Sequence, residues 1–278
     1  MIISLKNIEY TYPLEKRPTI KGIDLKLERG KVYGIIGENQ SGKTTLCNII
    51  RGFIPEIYKG ELRGEIKLKG KKLEEYSLGE LAKIIGFAFQ NPFTQISGVK
   101  ETVYEELAYG LENLGTSREE IIKRVDKIIE LLKLENLMEK NPYELSGGQK
   151  QRVALGAVIA MDPEIIIMDE PTSQLDPQST EDIFKIVEIL KKQNKTVILV
   201  EHKVDLMAEY CDEIILMKDG KVLLKESTKK LFSNIEVLNY GVQLPQIALY
   251  FLKKYKNEKR DIPITINEVK KSEIFRDR

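Results

Sequence analysis

The 278-residue sequence predicts an α/β fold, with a mostly parallel sheet covered by helices, a helical insert and a C-terminal extension. Three observations carry this. Apolar strand-like runs at 165–168, 196–200 and 214–217 are separated by helical stretches at 178–192 and 204–210, the alternation that builds parallel sheets. A glycine-rich loop at 37–42 joins a strand at 31–36 to a helix at 44–51. From about 101 to 160 the pattern turns helical, with Ile121, Ile122, Val125, Ile128, Ile129 and Leu132 at helical spacing.

Taken in order, short β-like runs at 4–9 and 24–28 precede the glycine-rich loop, and a further strand is expected at 84–89. From about residue 226 the chain is rich in lysine and contains one apolar helix candidate at 246–252. The domain reading is residues 1–225 as one catalytic domain, with a helical subdomain at about 91–162, and 226–278 as the extension.

Hydrophobic residues make up 42% of the chain, enough for a substantial core. Lys and Arg total 44 against 43 for Asp and Glu, which argues against a nucleic-acid binder driven by overall positive charge. The two cysteines, Cys47 and Cys211, have neither metal-site nor redox spacing. No apolar run approaches the ~18 residues of a membrane span, and Met1 to Lys6 is too soon charged for a signal peptide. The expectation is a soluble chain that reaches a membrane only through a partner.

Gly37-Glu38-Asn39-Gln40-Ser41-Gly42-Lys43-Thr44 fits the phosphate-loop pattern G-x-x-x-x-G-K-[ST]. Phosphate oxygens need many donors and positive potential in a small space. Glycines let the backbone curl its amides inward, and the following helix adds its positive end. Lys43 is expected to reach the β- and γ-phosphates and Thr44, with Thr45 beside it, to hold Mg²⁺ and phosphate. The strand at 165–168 ends in Asp169 and Glu170. Beside a phosphate loop, Asp169 suits Mg²⁺, and Glu170 suits the activation of an attacking water.

Leu145-Ser146-Gly147-Gly148-Gln149 stands about twenty residues before that acidic strand end. This pentapeptide is the ABC signature, and the chain resembles the ABC nucleotide-binding domain across roughly residues 1–220. Ser146 is a good N-cap for the helix that follows, a second helix N-terminus fit for phosphate. The resemblance implies a RecA-like P-loop NTPase core with an antiparallel β portion and a helical signature subdomain. It implies two subunits meeting head to tail, with Ser146, Gly147, Gly148 and Gln149 of each completing the partner's ATP site. Gln90 looks like the glutamine that senses Mg²⁺ and the transmembrane partner. Asp176, in Ser173-Gln174-Leu175-Asp176, looks like the D-loop aspartate, although Gln174 replaces a commoner small residue. His202, the chain's one histidine, matches the switch histidine of the γ-phosphate. Tyr12 resembles the aromatic that stacks on adenine, with Tyr10 as the competing candidate.

Residues 89–92, 101–115 and 238–246 resemble the ATPases of energy-coupling factor importers of vitamins and metal ions. That resemblance implies a second ATPase subunit, a transmembrane scaffold subunit and a substrate-binding membrane protein as partners, and a place on the cytoplasmic face of the membrane. The competing readings are a soluble ABC ATPase of translation or DNA repair, and a GTPase. A GTPase would need an Asn-Lys-x-Asp motif, which the sequence lacks.

Overall fold

A computed structural model describes residues 1–255 and 261–271; the rest of the expected extension, 256–260 and 272–278, lies outside the described residues. In chain order the strands and helices are β1 (Ile3–Thr11), β2 (Ile20–Leu27), β3 (Val32–Ile36), α1 (Lys43–Ile50), α2 (Phe53–Glu56), β4 (Glu61–Leu68), β5 (Lys71–Lys72), α3 (Leu78–Ile84), β6 (Ile85–Ala88), α4 (Val103–Asn113), α5 (Arg118–Leu132) and α6 (Gly147–Ala160). They continue as β7 (Ile165–Asp169), α7 (Pro177–Lys192), β8 (Thr196–Val200), α8 (Val204–Tyr210), β9 (Glu213–Lys218), β10 (Lys221–Ser227), α9 (Thr228–Phe232), α10 (Gln246–Lys254) and α11 (Ile266–Lys271). None of these helices is long and apolar enough to cross a membrane among the described residues.

The chain forms two compact units, one of Met1–Gly70 with the described residues from Val200 onward, the other of Lys71–Leu199. In the first unit β1 lies between β2 and β4, antiparallel to both, with Leu5 opposite Leu25 and Ile66. β9 pairs parallel with β3 and antiparallel with β10. All five residues of β3 are buried, the continuous apolar pattern of a strand covered on both faces.

In the second unit β8, β7 and β6 are neighbours in that order, and β6 and β7 run parallel. Every residue of β7 and β8 is buried. The helical insert starts and stops where local chemistry says it should. Thr102 and Glu105 form a capping box on α4, and Ser117 caps α5. α5 buries Val125, Ile128, Ile129 and Leu132 on one stripe, while Ile122 is exposed.

Several boundaries differ from the sequence expectation. Ile84 closes α3 instead of opening the strand at 84–89, because the Ser77–Glu80 capping box starts a helix there. α1 begins at Lys43, and α10 runs on to Lys254.

Candidate active site

In the first unit the phosphate loop has the backbone that glycine permits. Gly42 sits at φ +98° as the cap of α1, and a glycine cap offers the first-turn amides no side-chain acceptor, as an anion-binding terminus requires. Gln40 is also left-handed, at φ +64°. A Cβ at Gly37 would overlap the Met217 carbonyl and lie 2.8 Å from Ser41 Oγ, so any other residue would close the cradle. The turn after β9 holds the loop from behind, with the Gly220 N–H bonded to Ser41 O at 3.1 Å.

Lys43 Nζ donates to the Gly37 and Glu38 carbonyls at 2.9 Å each, which fixes the ammonium inside the curl. Ser41 is 4% exposed, and its buried Oγ has no hydrogen-bond partner among the described residues. A buried hydroxyl left this way costs about 1–3 kcal/mol, so the loop is built for an acceptor such as a phosphate oxygen. Thr44 is the one exposed residue of α1, while the buried Thr45 shares a 3.1 Å hydrogen bond with the Tyr12 hydroxyl.

The two tyrosines separate by burial. Tyr10 is fully buried, and its hydroxyl donates to Lys59 O at 2.8 Å. Burial, and then the neighbouring Tyr12, hold its phenol above the ordinary value. Tyr12 is half-buried and meets the Tyr10 ring edge-on at 4.8 Å. Only Tyr12 can offer a face to a base.

His202 is exposed, and its backbone N–H donates to the Glu201 carboxylate at 3.0 Å. A cavity of about 290 Å³ is lined by His202, Glu38 and Asn39, together with Gly241 and Gln243 of the extension. The part played by the extension is absent from the sequence reading of this site.

In the second unit β7 delivers Asp169, which is buried, and then Glu170 at φ +49°. A left-handed glutamate costs about 1 kcal/mol or more, strain that typically persists at functional positions. Glu170 lies just beyond β7, so the turn, not strand alternation, sets the direction of its side chain. Gln90 Nε2 donates to Glu170 Oε2 at 2.7 Å. Gln95 braces the glutamine loop, accepting the Phe89 N–H at 3.0 Å and donating to Ala154 O of α6 at 3.0 Å. Phe93 is 49% exposed, with Lys150 Nζ of α6 over its ring at 4.2 Å. It is a surface residue, not part of the core.

The signature residues form a capping box. The Gln149 N–H donates to Ser146 Oγ at 3.4 Å, and the Ser146 N–H to Gln149 Oε1 at 3.0 Å. A Cβ at Gly147 would meet nothing within 4 Å, whereas one at Gly148 would lie 2.7 Å from Ser179 Oγ. Asp176 caps α7 through the Ser179 N–H at 2.9 Å and accepts the Ser179 hydroxyl at 2.6 Å. That hydroxyl, and then the backbone amides, hold its carboxyl below the ordinary value.

Residues 20–173 match the family model described as ABC transporter. The chain is 37% identical to the energy-coupling factor transporter ATP-binding protein EcfA of Methanocaldococcus jannaschii, over 98% of this chain and 96% of that one. Among solved structures it is similar to cbiO1 from Clostridium perfringens, described as part of the ABC transporter complex cbiONQ. The TM-score is 0.75 at 33% identity, covering 90% of this chain and 98% of the other. A dimeric ATP-binding cassette bound to ADP and Pi in a post-hydrolysis state matches with a TM-score of 0.71 at 31% identity, covering 82% of this chain and 99% of the other.

Proposed function

This chain belongs to the ABC transporter family of ATP-hydrolysing subunits, and on that premise we propose that it powers an importer of the energy-coupling factor type for a vitamin or metal ion. The observation that carries this reading is near full-length similarity to EcfA, extension included. In this reading residues 1–225 are the ATPase domain, with the helical subdomain at about 91–162. The extension, 226–278, helps two ATPases pair. A transmembrane scaffold subunit recruits the pair to the cytoplasmic face of the membrane and holds the substrate-binding membrane protein. No nucleic acid takes part.

The residues divide the work. Tyr12 stacks on adenine. Gly37 to Thr45 wrap the phosphates, with Lys43 on the β- and γ-oxygens and the Ser41 hydroxyl finding its acceptor there. Glu170 accepts the proton of the water that attacks the γ-phosphorus; the bond to the bridging oxygen breaks, and ADP and inorganic phosphate leave. Gln90 orients that carboxylate, as the 2.7 Å contact supports. His202 hydrogen-bonds the γ-phosphate as charge builds on it. Ser146, Gly147, Gly148 and Gln149 present the α6 N-terminus to the ATP of the paired subunit, and Asp176 braces them through Ser179.

Thr44, Asp169 and Gln90 offer a hydroxyl, a carboxylate and an amide oxygen, the hard donor set that suits Mg²⁺. With Gln90 Nε2 donated to Glu170, its Oε1 would be the atom left to hold the metal. When bound, Mg²⁺ neutralises phosphate charge.

The test is purification of the tagged chain from membranes in mild detergent, followed by ATP-driven uptake in vesicles. Co-purification of a second ATPase with a polytopic scaffold supports the reading. ATPase activity with no membrane partner would favour a soluble ABC ATPase instead.

A further inference from the structure

The extension touches the phosphate loop. Gly241 ends the turn Ile235–Tyr240 in the left-handed region, at φ +76°. A Cβ on it would overlap the Glu38 carboxylate. The extension backbone therefore lies directly against the second residue of the loop.

Five residues on, the extension grips the helix behind the histidine. The Gln246 N–H, opening α10, donates to Asp205 Oδ1 at 2.8 Å. Asp205 is in the first turn of α8, which starts two residues after His202. The other end of α8 is held as well, with Asn267 Nδ2 of α11 donating to Glu209 Oε1 at 2.6 Å. The grip has its own anchor, because Phe251, Ile262 and Val269 form a small core. Glu268 ties it down further, accepting from Lys229 Nζ and the Ile264 N–H at 2.7 Å each.

We propose that the extension positions His202 for hydrolysis, with Asp205 as the positioning residue that fixes α8 while Gly241 seats the same segment against Glu38. The proposal rests on His202 being the γ-phosphate ligand. A hydrogen bond to a transferring phosphoryl group acts only at the right place, and a 1 Å misplacement costs up to about a hundredfold in rate. An exposed histidine at the head of a seven-residue helix needs such a brace, and here the brace is continuous with the loop that holds the phosphate.

The experiment compares Asp205→Ala, Asp205→Asn and His202→Ala, singly and combined, in the full-length chain. It measures kcat and ATP affinity across a range of protein concentrations. Asp205→Ala should lower kcat tenfold or more and leave ATP affinity within about twofold. Asp205→Asn, which keeps an acceptor oxygen for the Gln246 N–H, should restore kcat. In the His202→Ala background Asp205→Ala should cost nothing further. An unchanged kcat, an equal loss in the His202→Ala background, or a loss that vanishes at high protein concentration would each overturn the proposal; the last would mean that Asp205 serves only pairing. If His202→Ala itself hydrolyses at the wild-type rate, the histidine's assignment falls, and the positioning role falls with it. Gly241→Ala gives an independent reading. Its kcat loss should be partly relieved by adding Glu38→Ala, since the overlapping carboxylate is gone, and absence of relief counts against the loop contact.

Discussion

Gln90 Nε2 donates to Glu170 Oε2 across 2.7 Å, joining the loop after β6 to the strained residue that directly follows β7. Glu170→Gln replaces that acceptor with an amide that cannot take a proton from water. Hydrolysis should fall by about 10²–10⁴-fold, the range for loss of a general base, while ATP still binds. The ATP-bound pair should live longer, since a negative charge near the γ-phosphate is removed. Single-turnover hydrolysis and size exclusion with ATP check both; turnover near wild type would remove Glu170 as the base.

Lys43 and His202 should fail in different ways. Lys43 is anchored inside the phosphate loop, so Lys43→Ala removes a charge-assisted contact present before and during reaction. Such a contact is worth about 1.5–3 kcal/mol, or roughly tenfold to over a hundredfold in ATP affinity. His202→Ala should leave affinity within about threefold and slow hydrolysis. Calorimetric binding and a kcat measurement separate the two, and equal losses of affinity would contradict the switch role.

Gly148 and Gly147 should give different defects. From sequence alone, an aspartate at 148 is expected to face the γ-phosphate bound between subunits. In the structure that Cβ points at Ser179 Oγ, 2.7 Å away, with Asp176 behind it. Gly148→Asp should therefore push the Ser179 hydroxyl off Asp176 and lose that hydrogen bond beside the α7 cap. It should also set two carboxylates together. Gly147→Asp meets no neighbour, and is the cleaner probe of pairing. In a Glu170→Gln background it should block ATP-driven dimerisation with an unchanged melting temperature, whereas Gly148→Asp should lower both. Dimerisation that survives Gly147→Asp would count against a head-to-tail pair.

Phe93, three residues after Gln90, has an exposed ring with Lys150 over it, and if the scaffold subunit docks beside Gln90 it meets this ring. Phe93→Glu can replace the cation–π contact with an ion pair, so the variant should fold with a melting temperature close to wild type. ATP affinity should persist while vesicle uptake falls. Normal uptake by the folded variant would place the docking surface elsewhere.

The sequence by itself determined what is written in local backbone chemistry. The phosphate loop and its helix, the Ser146 cap and the apolar strand ending at Asp169 each depend on residues within a few positions of one another. Strands with weak patterns were not legible. β4 and β10 are mostly exposed or half-buried along their length, so no clear apolar period marks them. Only the tertiary structure decided which tyrosine is core, which way Gly148 faces, and that Gly241 rests on Glu38 while Asp205 holds Gln246. Those relationships join segments from about thirty to two hundred residues apart. A side chain's type and spacing carry no information on what long-range packing brings against it, because that depends on how whole elements come together in space.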